Sequence, residues 1–220
     1  MSKQIFLIDF DGTINLSDLA LHTVERFTSE KWQYYEQLFN NGKLSLEDTI
    51  TTQYSFIHAP KNVILEEIDK VIQIRENFNL FVNHCKKMNV PIVIVSGGID
   101  FVIHHVLNKI GLPNTVQVVS MITEYQSDGS VKVTRPTRHF EDSIDFKQDK
   151  VKYYKAIDMI VYYIGDGSSD YGAVINADLN FTVKDSILSQ FCEEKNLPKY
   201  DFVDFGEIID YMKNNIFHEH

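Results

Sequence analysis

Three short runs of apolar, largely β-branched residues constrain this chain more than anything else in it: QIFLID (4–9), PIVIVSG (91–97) and DMIVYYIGD (158–166). Continuous apolar runs of that length read as strands covered on both faces. Each leads into a loop containing Gly or Asp and then into a helical pattern. DFVIHHVLNKIG (100–111), stopped by Gly111 and Pro113, follows the second run; SSDYGAVINA (168–177), with Ser168 or Ser169 as N-cap, follows the third. Strand, loop and helix repeated in this way predict an α/β fold built on a doubly wound parallel sheet. Ligands of such sheets bind beyond the carboxyl ends of the strands, where the three loops would gather.

The spacing of the runs adds an insert. The first and second lie far more than the ~30 residues of a simple βαβ unit apart. The intervening LSDLALHTVERFTSEKWQYYEQLFNNG, SLEDTITTQYSFI and KNVILEEIDKVIQI carry helical periodicity, so residues 17–77 are expected to form a small helical cap. Residues 1–16 and 78–220 would form the core, with FNLFVNHCKKMNV (78–90) as the helix returning to the second strand. VVSMITEYQSDGSVKVTRP (118–136) alternates on both sides of Asp128-Gly129, the pattern of a β-hairpin, and the tail NNIFHEH is expected to fray.

Two of the strands end on carboxylates. Asp9 and Asp11 stand at i and i+2 at the end of the first, so their side chains share one side; Asp166 and Asp170 follow the third. An isolated Asp in such a loop is commonly a turn former or an N-cap. Two pairs brought to neighbouring strand ends repel one another, and a hard divalent cation relieves that repulsion. Mg²⁺ suits a few carboxylate oxygens together with water and substrate phosphate.

Bulk properties narrow the partners. The net charge of −10 disfavours nucleic acid, which demands a basic face, while one lysine, a metal ion and a few amides suffice for a small phosphate. No apolar run approaches the ~18 residues of a membrane span. The opening MSKQIFLIDFDG lacks the apolar stretch and cleavage site of a signal peptide, and two distant cysteines, Cys85 and Cys192, suit a reducing compartment. A cytoplasmic monomer or homodimer is expected.

DFDGT (9–13), VIVSGG (93–98), a downstream lysine and GDGSSD (165–170) resemble, in order, the four motifs of the haloacid dehalogenase-like hydrolases. The position of the insert is similar to that in the phosphoserine phosphatase-like branch. IRENF (74–78) and SGGIDF (96–101) more narrowly resemble the 2-hydroxy-3-keto-5-methylthiopentenyl-1-phosphate phosphatases of methionine salvage. The resemblance implies a Rossmann-like core and a Mg²⁺-dependent phosphatase acting on a small phosphorylated metabolite. It implies that Asp9 is the nucleophile and a metal ligand. Asp11 would be general acid and base and lend its carbonyl to the metal, Asp166 would be a ligand, and Asp170 would complete the acidic pocket. Thr13 and Ser96 would donate hydrogen bonds to phosphate, with Gly97 and Gly98 allowing close backbone approach. For the lysine, Lys150 matches best and Lys147 second, while Lys152 and Lys155 read as a solvated helix face.

The substrate side is less constrained. Asp18 either faces the substrate or opens a helix. The surroundings of Arg26, the one arginine well inside the insert, do not resemble the phosphoserine pattern. The methionine-salvage relatives carry cysteines before the lysine, whereas TRHFEDSIDFKQ has none. Of Trp32, Tyr34, Tyr35, Phe39, Tyr54 and Phe56, most would pack the cap and one or two would line the pocket. His104 and His105 read as structural, and His139 is a weak pocket candidate. Phosphoserine phosphatase, phosphotransferase or phosphomutase activity, and a non-catalytic phosphate sensor, are the alternatives on the same core.

Overall fold

A computed structural model describes residues 3–28, 31–126 and 130–216. Strand β1 (Lys3–Ile8) lies at the centre. Four helices follow it, α1 (Leu19–Phe27), α2 (Trp32–Asn40), α3 (Leu46–Ser55) and α4 (Lys61–Ile68), and α5 (Phe78–Lys87) leads back to the sheet. Next come β2 (Ile92–Ile99), α6 (Asp100–Lys109), β3 (Gln117–Tyr125) and β4 (Val131–Thr134). After α7 (Phe146–Ala156), β5 (Met159–Gly165) and the short α8 (Tyr171–Val174), the chain closes with β6 (Leu179–Val183), α9 (Ile187–Glu194), β7 (Lys199–Phe202) and α10 (Phe205–Tyr211). The seven strands run in the order β4-β3-β2-β1-β5-β6-β7, all parallel except β4, which pairs antiparallel with β3. This is the expected α/β fold with a helical cap region after β1. The turn expected at Asp128-Gly129 and the end of the chain past residue 216 lie outside the described residues.

The unbroken apolar runs are explained by what covers them. Alternate residues of a strand face opposite sides. Phe6 and Ile8 of β1 join the core formed with α5, α6 and α10, where Phe6 meets Phe81 edge-on at 5.1 Å. Ile5 and Leu7 join the opposite core with Phe146 and Val151 of α7, Ala173 of α8 and Leu188 of α9. Neither face is left to water, so no polar alternation appears in the sequence.

The topology sets the site. From β1 the chain builds outward through β2 and β3 on one side and later through β5, β6 and β7 on the other, which makes the β1–β5 boundary the switch point. β1 and β5 pair in register, Ile8 against Ile164, and the Asp9 amide donates to the Ile164 carbonyl at 2.9 Å. Asp9 and Asp166 therefore leave the sheet side by side.

Two local expectations change. β2 continues past the expected residue 97 through Gly98 to Ile99 with a register shift against β3, so the loop expected there is a bulged strand end. Neither Ser168 nor Ser169 caps a helix. Residues 168–170 form one 3₁₀ turn behind Gly167, because the Asp170 carboxylate takes the free amides of Asp166 and Gly167, both at 3.1 Å.

Candidate active site

Asp9 and Asp170 are bridged by a buried cation. Lys147, 1% exposed, donates to Asp9 Oδ1 and Asp170 Oδ1, both at 2.7 Å, and to Ser169 Oγ at 3.0 Å. It reaches them because α7 starts at Phe146, with Asp145 as N-cap accepting from the Gln148 amide at 2.7 Å. The N-terminal turn of α7 thus faces the strand ends. Lys150 lies one turn later, about 4.5 Å further along the axis. Its Nζ sits 5.6 Å above the Tyr153 ring instead, so the lysine of this site is Lys147 and not Lys150. The Asp145–Gln148 capping pattern is the signal in the sequence that would have chosen between them.

Asp170 is fully buried and saturated: besides Lys147 and the two amides it accepts from Tyr163 Oη at 2.7 Å. Asp166 Oδ1 accepts from Thr13 Oγ1 at 2.8 Å. Thr13, expected to donate to phosphate, has its one hydroxyl proton committed to orienting Asp166 and is itself buried. Gly12 makes this approach possible. It sits at φ +76°, and a Cβ there would stand 2.2 Å from Asp166 Oδ2.

The loop after β1 is held from behind by Arg75. Its guanidinium donates to the carbonyls of Thr13 (2.8 Å), Gly12 (2.6 Å) and, from the other end of the chain, Val203 (2.9 Å). Asn15 completes this seam between the two connections to the cap, accepting from the Gln73 amide at 2.8 Å and bridging to Ile74.

Across the cleft, Asp11 Oδ1 accepts from the Leu19 amide at 2.7 Å. Ser96 is buried and accepts from the Gly98 amide at 2.9 Å, which keeps its own proton for the cleft. The Gly98 amide is thereby committed to Ser96. A Cβ on Gly98 would come within 2.9 Å of Asp11 Oδ2, and one on Gly97 within 2.8 Å of the cap's Ile50. Both glycines make room for neighbours that close the site. Asp18 is the N-cap of α1, accepting from Leu21 at 2.7 Å, and it also lines the cleft. The cleft encloses about 260 Å³ between the strand ends and cap residues that include Glu36, Phe39, Gln53 and Tyr54. Of the cap aromatics only Phe39 and Tyr54 reach it. His139 does not; it pairs with Asp149 at 2.9 Å. Arg26 is turned outward near Glu67. The pocket positions of Glu36 and Gln53 carry no motif in the sequence.

The electrostatics of this arrangement are one-sided. Burial, then Asp170, pushes the Asp9 carboxyl well up against the opposing pull of Lys147. Burial, then Asp18, does the same to Asp11. Asp166 is raised to about 6, first by burial and then by Asp170. Burial alone would lower Lys147, but Asp170 and Asp9 hold it above the ordinary lysine range. Carboxylate oxygens of Asp9, Asp166 and Asp170 lie within 4.8 Å of one another, with one ammonium among them. The oxygens of Asp9 and Asp166, short of positive charge, fit a divalent cation, while the saturated Asp170 adds its charge from behind.

The family model for haloacid dehalogenase-like hydrolases matches residues 6–174, from β1 through the acidic cluster to α8. The chain belongs to the haloacid dehalogenase-like hydrolases. Within that family it is a phosphatase, a phosphoric monoester hydrolase. It is 26% identical over 221 residues to a 2-hydroxy-3-keto-5-methylthiopentenyl-1-phosphate phosphatase of Geobacillus thermodenitrificans, covering 97% of each chain. It is 24% identical over 232 residues to a polyol phosphate phosphatase of Saccharomyces cerevisiae, covering 97% of this chain and 94% of that one. Its fold is similar to a phosphoserine phosphatase solved as an analogue of the phospho-aspartyl intermediate. The TM-score is 0.68 at 19% identity, over 96% of this chain and 99% of that one. Among the described residues of this hydrolase no helix is long and apolar enough to cross a membrane.

Proposed function

We propose that this chain is a Mg²⁺-dependent phosphomonoesterase of small metabolites that works through an aspartyl-phosphate on Asp9, a methionine-salvage-type ester being the first substrate to test. One observation carries the reading: Asp9 stands at the switch point of the sheet with Oδ1 tied to Lys147, which leaves Oδ2 toward the cleft. A sensor has no need of a carboxylate aimed in this way.

Asp9 Oδ2 attacks phosphorus and the ester P–O bond breaks, giving the acyl phosphate and an alkoxide. Asp11, raised by burial and by Asp18, holds the proton that the alkoxide takes. As a carboxylate it then draws a proton from the water that attacks phosphorus, and phosphate leaves with Asp9 restored. Lys147 balances charge on Asp9 and keeps its rotamer fixed, and the Ser96 hydroxyl donates to a phosphate oxygen. Asp9 and Asp166, with the Asp11 carbonyl, would hold the metal ion, which when bound would neutralise charge at the phosphate. The second transfer goes to water in this reading, so phosphate rather than a new ester is the product.

The test is release of inorganic phosphate from p-nitrophenyl phosphate with and without Mg²⁺, in the presence of an added alcohol. Mg²⁺-dependent phosphate release, abolished by Asp9→Asn with the fold retained, is expected. Transfer to the alcohol would favour a phosphotransferase, and an inert wild type would favour a sensor.

A further inference from the structure

Lys147 owes its reach to the place where α7 begins, and that place is fixed in part from the cap. The first amides of a helix have no partner within it. In α7 the Asp145 carboxylate takes the amide of Gln148, and the amide of Phe146, the residue before the lysine, is taken by Glu47 Oε1 at 3.0 Å. Glu47 stands in the first turn of α3, 99 positions earlier in the chain, and is 1% exposed.

Arg138 secures this contact. Its Nε and Nη2 both donate to the same Oε1, the former at 2.9 Å, and its Nη1 donates to the Ser143 carbonyl at 2.8 Å. The stretch that leads into Asp145 is thus tied to the cap through one oxygen. Asp149, fully buried, holds that stretch from α7, accepting from the amides of His139 at 2.7 Å and Phe140 at 2.8 Å. A second pair, Arg135 with Asp48, joins the same segment to the same helix, but it is half exposed and stands outside the bonds that end at Phe146.

Holding the cap in place does not call for this arrangement. An apolar pair of similar volume would fasten α3 to the segment about as well as a buried ion pair. Glu47 Oε2 gains nothing from its burial, having no partner among the described residues. What the carboxylate adds is an acceptor at a helix start, where negative charge is favoured. That helix start roots a side chain whose ammonium must meet Asp9 and Asp170 at 2.7 Å and Ser169 at 3.0 Å. The same α3 carries Ile50, Gln53 and Tyr54 into the cleft, and Tyr54 Oη donates to the Gly97 carbonyl beside Ser96 at 2.9 Å.

We infer that Glu47 is a positioning residue for the reaction: from the cap it fixes the start of α7 through the Phe146 amide and thereby holds Lys147 against Asp9. The inference rests on the phosphatase reading given above. Seating of α3 over the cleft and charge balance at Asp9 then depend on one shared contact.

The test is steady-state hydrolysis of p-nitrophenyl phosphate with Mg²⁺, at a temperature where circular dichroism shows each variant folded. Glu47→Leu leaves the Phe146 amide without its acceptor. It should lower kcat about 30-fold with KM within about threefold, since ~1 Å of misplacement in a preorganised site costs about 100-fold. Glu47→Gln keeps an oxygen for that amide and should stay within about fivefold of the wild-type kcat. Arg135→Met loosens the same helix elsewhere and should stay within about twofold. A role only in holding the cap shut would raise KM and would be shared by Arg135→Met. Should Glu47→Leu not fold, Glu47→Asp carries the test: one methylene shorter at the same charge, it should lose about 10-fold in kcat. A kcat within about threefold of wild type for Glu47→Leu, or for Glu47→Asp in its place, overturns the inference. So does a loss in Glu47→Gln or Arg135→Met equal to that in Glu47→Leu. If the wild type itself releases no phosphate from the probe with Mg²⁺ present, the phosphatase reading fails; an active wild type beside an equally active Glu47→Leu removes this inference alone.

Discussion

Glu47 opens α3 with a carboxylate that is 1% exposed, and Arg138 comes from the stretch before α7 to meet it. Glu47 Oε1 accepts from Arg138 Nε at 2.9 Å, from its Nη2, and from the Phe146 amide at 3.0 Å, while Oε2 is buried with no partner. Arg138→Met removes two charge-assisted bonds and leaves the carboxylate with one amide. Breaking a buried pair from one side costs roughly 3–5 kcal/mol. Arg138 is about one-third exposed and the Phe146 amide remains, so the expected loss sits at the low end, about 3 kcal/mol. With an m-value of about 3 kcal/mol/M, the urea midpoint falls by about 1 M. Adding Glu47→Leu removes the stranded charge but deprives the Phe146 amide of its acceptor, so the double variant should regain about half of the loss. A single variant that loses under about 1 kcal/mol, or a double variant no better than the single, would refute the reasoning.

Lys147→Met should abolish phosphate release, whereas Lys150→Met should retain activity within about threefold, since Lys150 sits over the Tyr153 ring and does not line the cleft; steady-state rates on p-nitrophenyl phosphate check this. Metal removal should expose the strain among the carboxylates as a pH dependence. Asp166 has its carboxyl raised to about 6, so its contribution to stability is complete below the unfolded value near 4 and is lost as pH rises through 6. That is a loss of about 3 kcal/mol for the metal-free protein. Thermal midpoints in EDTA should therefore fall from pH 5 to pH 7, and those in millimolar Mg²⁺ should not. Equal slopes in the two series would show that the cluster binds no cation.

The sheet and its acidic loops were legible because strands buried on both faces leave an unbroken apolar run, and because carboxylates at two strand ends have no cheap structural use. The cap was legible from spacing: too many helical residues separated β1 from β2. The choice of lysine failed for a three-residue reason. Lys147 and Lys150 lie on similar sides of one helix, and what separates them is where that helix begins, a fact carried by Asp145 and Gln148 rather than by any lysine. The Thr13 bond to Asp166 was not legible because its hydroxyl can point to either side of the loop, and only packing of Gly12 against Asp166 decides.

Arg75 has a consequence for how the molecule comes into being. Asp9 is translated early, but the floor under its loop is a guanidinium whose third arm waits for the carbonyl of Val203. A nascent polypeptide halted before that point carries every acidic side chain of the cradle and lacks the strut that braces them. The loop that carries the acidic pair thus gains its last brace only when residues near position 203 have been added.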